Sequence, residues 1–192
     1  MTKTLEIFRK SDLMVGMHKA TMGSALFAAT ALLIAGCSGG QGTPGQPAGE
    51  ADNGALKSFD PCTALPADQV QSFGGSFPGV PSDLGVGEVG CDFRGQDVEF
   101  GVLKAETSDE KYWQGQRDQF DQFTPNQVGA HSGFAGIALG GKGLGGCRQI
   151  MYVGSGSVIV DITYSSDKMP SDEETCGKAK EIAQAVESKL PK

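Results

Sequence analysis

The sequence predicts an α+β fold: a single domain with an antiparallel β-sheet, helices packed on it and two disulfides. Three observations carry this. Short apolar-alternating runs are joined by tight glycine-containing turns, as in hairpins. Helix-opening patterns follow pairs of strands rather than single ones, so there is no βαβ repeat. Of the five cysteines, one is claimed by an N-terminal motif, which leaves an even set of four.

The first segment, 1–36, reads as a lipoprotein signal peptide. Arg9, Lys10 and Lys19 precede an apolar run, Ala25 to Ala35, and the small residues Ala35-Gly36 stand directly before Cys37. The run is shorter than the roughly 20 apolar residues needed to span a bilayer. A cysteine at this position supplies the thiol that takes a diacylglyceryl group, so Cys37 is the expected lipid attachment and the first mature residue. The expected location is the extracytoplasmic face of the cell membrane, held there by the N-terminal lipid. Residues 37–57 then form a flexible tether rich in Gly, Pro and small polar residues, with a reach of roughly 25 Å. The folded extracytoplasmic domain is expected over 58–192.

Within that domain the elements follow in order. A short helix is predicted at 65–73, with Pro66 in its first turn, and then a Gly/Pro-rich loop over 74–88. Strands follow at Val89–Arg94 and Val98–Lys104, turning at Gly95-Gln96-Asp97, with Val98, Phe100 and Val102 on one face. Thr107-x-x-Glu110 has the pattern of a capping box opening a helix to about Phe123, with Trp113, Phe120 and Phe123 inward. The glycine-rich stretch 129–146 contains one apolar run, Phe134 to Leu139, predicted as an edge strand. The strongest hairpin is Cys147–Val153 with Ser157–Tyr164, joined at Gly154-Ser155-Gly156, which places Val158, Val160, Ile162 and Tyr164 on one face. Ser171-x-x-Glu174 is a second capping box, opening a helix to about Leu190 with the stripe Cys176, Ala179, Ala183, Val186 and Leu190.

Outside the cytoplasm, Cys62, Cys91, Cys147 and Cys176 read as two disulfides. Three connectivities are possible. Cys62–Cys91 and Cys147–Cys176 are preferred because each joins neighbouring elements in the order above. A zinc site is disfavoured, since the mature chain has one histidine and no Cys-x-x-Cys pair.

Phe59-Asp60-Pro61-Cys62, Gly90-Cys91-Asp92-Phe93, Gly146-Cys147 before a strand, and Cys176 in a helix ending Leu190-Pro191 together resemble a family of actinobacterial lipoproteins. That family is known only as domain-of-unknown-function family 3558. The resemblance implies an α+β envelope lipoprotein and no catalytic residue; Phe93 stands where the pattern commonly has an aromatic such as Trp.

Composition excludes some functions. The whole chain has 16 basic and 23 acidic residues. Cleavage removes Lys3, Arg9, Lys10 and Lys19 together with Glu6 and Asp12, leaving 12 basic, 21 acidic and a net charge of −9. Nucleic acid is therefore not an expected partner.

No catalytic residue, metal ligand or cofactor is predicted. Gly85-Gly87-Gly90 and Gly141-Gly143-Gly146 fit a dinucleotide pattern but open no helix, and Gly136-x4-Gly141-Lys142 is followed by Gly143 in place of Ser/Thr. His131 is expected on a flexible surface loop, Asp161 on a solvated sheet face, and Asp172-Glu173-Glu174 at a helix N-terminus. Tyr112, Trp113, Phe120 and Phe123 are expected to fill a core, the alternative being a hydrophobic cleft.

The function expected is a tethered, non-catalytic binding module for an envelope protein or a small hydrophobic ligand. A hydrolase using acidic residues, with two inward carboxylates a few Å apart, and a purely structural lipoprotein are the alternatives.

Overall fold

Seven strands form one antiparallel sheet in the order β1-β2-β3-β7-β6-β5-β4. The computed structural model describes residues 54–191; the signal segment, Cys37 and most of the tether lie outside them. A 3-10 turn at Pro61–Thr63 leads to α1 (Ala67–Ser72), β1 (Val80–Asp83), β2 (Val89–Arg94) and β3 (Val98–Ala105). Next come α2 (Glu110–Gly115), a second 3-10 turn (Arg117–Gln119), β4 (Phe120–Val128) and β5 (His131–Ala138). The hairpin β6 (Gly146–Val153) and β7 (Gly156–Tyr164) precedes the last helix, α3 (Asp172–Glu187).

Alternation along the strands gives the sheet two faces. On one, Val98, Phe100 and Val102 of β3 join Val158, Val160 and Ile162 of β7 in the larger core. The stripe of α3 covers them: Cys176, Ala179, Ile182, Ala183, Val186 and the following Leu190 are all buried. The predicted capping box is formed, with Ser171 Oγ accepting from the Glu174 N–H and Glu174 accepting from the Ser171 N–H. Both disulfides join the preferred partners. Cys62–Cys91 ties the first 3-10 turn to β2 across a Cα–Cα distance of 5.0 Å, and Cys147–Cys176 ties β6 to α3 across 5.2 Å.

Four expectations need correcting. The chain is not helical to Phe123: Asp109, not Thr107, caps α2 by accepting the Tyr112 N–H at 2.8 Å, and the helix ends at Gly115. Phe120 and Phe123 belong to β4 instead. Strand β5 is longer than the apolar run and interior, because β4 lies outside it. The 74–88 segment is not all loop, since Val80–Asp83 pairs with β2; Pro81 is accommodated because β1 is an edge strand. Finally, the domain begins before residue 58. Leu56 is 2 % exposed, and its carbonyl accepts from Lys104 Nζ at 2.9 Å.

Candidate functional site

The second face of the sheet is only partly covered, and its uncovered part forms a cleft. Leu103, Ala105, Phe134, Ile150 and Ile159 make a smaller core beneath Trp113 of α2. The Trp113 indole N–H donates to Ser157 Oγ at 3.0 Å, which fixes the ring over the sheet. Phe123 stacks on Phe134 with ring centroids 3.8 Å apart, and Phe120 meets Phe134 edge-on at 5.3 Å. These aromatics do both jobs weighed from the sequence. Trp113 and Phe120 pack the small core and also wall a cavity of about 470 Å³, with Tyr112 at its rim. Ile137 and Leu144 complete the apolar side, while Arg148, Asp161 and Thr163 lie on the polar side.

The glycine-rich loop after β5 borders this cavity through Gly141 and Leu144. It is held at two points. The Gly140 N–H donates to Asp121 Oδ2 at 2.7 Å, and the Gly143 N–H donates to Asp172 Oδ1 at 2.9 Å. Asp172 thus anchors a loop as well as complementing the dipole of α3. Neither glycine pattern precedes a helix: Gly90 lies inside β2, and Gly141-Gly143-Gly146 leads into β6.

The polar side is an ion-pair network. Arg148 Nε donates to Asp161 Oδ2 at 2.9 Å, and Arg148 Nη1 lies 3.3 Å from Glu88 Oε1 and 3.2 Å from Oε2. Glu88 is only 7 % exposed. The Asp161 side chain keeps 32 % of its surface open, although protein crowds the carboxylate on its other sides. Burial pushes the Asp161 carboxyl above its ordinary range; Arg148 opposes the shift, while Glu88 and Asp92 add to it. Burial would depress the Arg148 guanidinium, but Asp161 and Glu88 outweigh it and hold it above its usual value. Asp161 is therefore not on a plainly solvated face. Two carboxylates converge on one guanidinium at the cleft wall, an arrangement that stabilises a fold no better than well-packed apolar residues would. Perturbed ionisable groups beside a cavity point to function.

A second hollow, of about 330 Å³, adjoins the first and shares Asp161 and Thr163 with it. Its lining includes Leu84, from the turn between β1 and β2, together with Asp92, Glu99 and Gly101.

His131 does not lie on a flexible loop. It opens β5, its Nδ1 lies 3.1 Å from the Tyr152 carbonyl, and its Nε2 is 4.0 Å from Glu187. It lines neither hollow. Among the described residues, no group of three or more His, Cys, Asp or Glu side chains is placed to hold a metal, and no helix is long and apolar enough to cross a membrane.

Sequence reasoning passed over Arg148, because the predicted three-residue turn would set it opposite Ile162. The turn is one residue shorter: Val153 pairs with Gly156, which sets Arg148 opposite Asp161.

The class defined by this sheet and its two disulfides is a small α+β domain with a walled cleft. Residues 32–189 match the family described as protein of unknown function (DUF3558), and the chain belongs to that family. No curated protein and no solved structure matches the chain.

Proposed function

We propose that this protein is a lipid-anchored lipoprotein of the cell envelope whose domain is a non-catalytic binding module, taking a small ligand with a hydrophobic body in the cleft beside Trp113. Ile34-Ala35-Gly36-Cys37 after an apolar run supports the anchor. The observation that carries the binding reading is the cavity of about 470 Å³ with aromatic walls and a few convergent polar groups. Volumes of roughly 300–1,000 Å³ and mostly apolar linings are usual for small-molecule sites. Trp113 is the single tryptophan of the chain, so its emission reports on the cleft directly. Titration with an apolar probe such as n-octanol should shift that emission saturably; a flat or linear response would remove the binding reading. The anchor is tested separately by Cys37→Ser, which should abolish acylation and leave unprocessed precursor. Normal processing and detergent partitioning of that variant would remove the lipoprotein reading.

One observation favours a hydrolase as a second reading: Glu88 and Asp161 both reach Arg148. Arg148 donates to an oxygen of each, so the two carboxylates face a shared cation rather than a shared substrate position. Ester or glycoside turnover lost in Asp161→Asn would revive this reading.

A further inference from the structure

The two hollows on the open sheet face differ in chemistry and meet at Asp161 and Thr163. The larger is walled by Trp113, Phe120 and Ile137; the smaller is lined by Asp92, Glu99 and Asp161. The charges at the junction do not balance. Arg148 is the cation on the cleft wall, and it is engaged by both Asp161 and Glu88. Asp92 has no cationic side chain within 4.0 Å among the described residues. Glu99 is answered by Arg94, but that pair is well exposed, with 64 % and 47 % of the side chains open, and so is weak and screened. Lys142, on the rim loop, points into solvent and lines neither hollow. Gly101 keeps the acidic floor open, since a Cβ there would stand 3.0 Å from Asp92 Oδ1.

A ligand that fills the apolar hollow therefore places its far end against a net negative surface. An anionic head would find its natural partner, Arg148, already held by two carboxylates. A cationic head would find Asp161 and Asp92 short of positive charge. Resting on the reading of the cleft as a binding site, we infer that the ligand is an amphipathic cation, its hydrocarbon or aromatic body against Trp113 and Phe120 and its ammonium or guanidinium head between Asp161 and Asp92.

The test compares n-octylammonium, n-octanoate and n-octanol, which share a body and differ in head group. Each is titrated below micelle-forming concentration, with Trp113 emission as the signal. The sample is the chain from Gly54 onward, which contains both cores and both disulfides described above; the lipidated full chain in nanodiscs repeats the series. Octylammonium should bind on the order of tenfold more tightly than octanoate, a factor set by one modest charge contact, with octanol between them. Added salt should narrow that gap. Asp161→Asn should reduce octylammonium affinity several-fold and leave octanol unchanged. Asp92→Asn, which breaks no ion pair, should do the same and keeps the test valid if the first variant folds poorly. Octanol binding with octanoate equal to or tighter than octylammonium would overturn the head-group assignment and leave the cleft reading standing. An amine preference that survives both Asn variants would overturn it as well. No saturable response to any of the three would overturn both readings.

Discussion

Removing either disulfide should cost nearly the same free energy, although the two bridges staple different parts of the fold. Each closes a loop with a sequence separation of 29. Cross-linking that loop restricts the unfolded chain by about 3.5 kcal/mol on the chain-entropy argument. Cys91, Cys147 and Cys176 are all buried, so replacing each pair by alanines also removes buried sulfur and adds to the loss. The paired variants Cys62→Ala/Cys91→Ala and Cys147→Ala/Cys176→Ala should thus each lose about 3–5 kcal/mol, within the range expected on removing a native disulfide from a small domain. The midpoint of thermal unfolding should fall by roughly 10–20 °C. Urea unfolding followed by Trp113 emission and far-UV circular dichroism measures this, and the denaturant slope should rise as the unfolded chain is released. A loss below about 1 kcal/mol for either pair, with an unchanged slope, would refute the entropic reasoning. A loss much larger for the bridge on α3 would show that the bridge holds the helix on the sheet, and not merely that it shortens the unfolded chain.

Three further outcomes follow from single side chains. The Tyr152 hydroxyl is buried without a hydrogen-bond partner, so Tyr152→Phe should stabilise the fold by about 1 kcal/mol in equilibrium unfolding. Burial, with Glu110 nearby, raises the Tyr152 phenol from 10.0 to about 12. The folded state therefore binds this proton more tightly than the unfolded state, and its contribution, complete below pH 10, disappears as the pH rises through about 12. The Phe variant should lack that part of the alkaline loss in a pH-dependent unfolding series. Ser171→Ala removes one arm of the capping box and should cost about 1 kcal/mol of stability, read as a lower urea midpoint. Ala138 is exposed yet borders the larger cavity, so Ala138→Trp should block octanol binding while changing stability by less than about 0.5 kcal/mol.

The sequence is most legible where one pattern acts alone. Alternation placed β3 and β7, the glycine-containing turns placed their hairpin partners β2 and β6, and a capping box followed by a stripe at spacings of three and four placed α3. The cysteine pairing followed from which elements are neighbours. Reading failed where two patterns competed. Phe120 and Phe123, three apart and downstream of Trp113, look like one helical face, whereas in a regular strand they would point to opposite sides. A register shift between Phe120 and Gln122 inserts an extra residue and turns both rings onto the same face, toward Phe134. Once β4 is missed, β5 becomes an edge and Gly129-Ala130 a loose loop rather than the tight turn joining Val128 to His131. The cleft was only half visible for the same reason. Asp161 could be singled out by its place among Val and Ile, but its meaning depends on Glu88. That residue reaches Arg148 from the turn before β2, through a tertiary contact that no periodicity encodes.

Binding of a small amphiphile to the open face of the sheet is the central claim, and a heteronuclear NMR titration of the domain with n-octylammonium tests it most directly. The Trp113 indole N–H and the amides of Gly136, Ala138, Arg148, Asp161 and Thr163 should shift together and saturate at one dissociation constant, while the amides of α3 stay in place. Shifts gathered on α3, or spread over the surface without saturation, would contradict it.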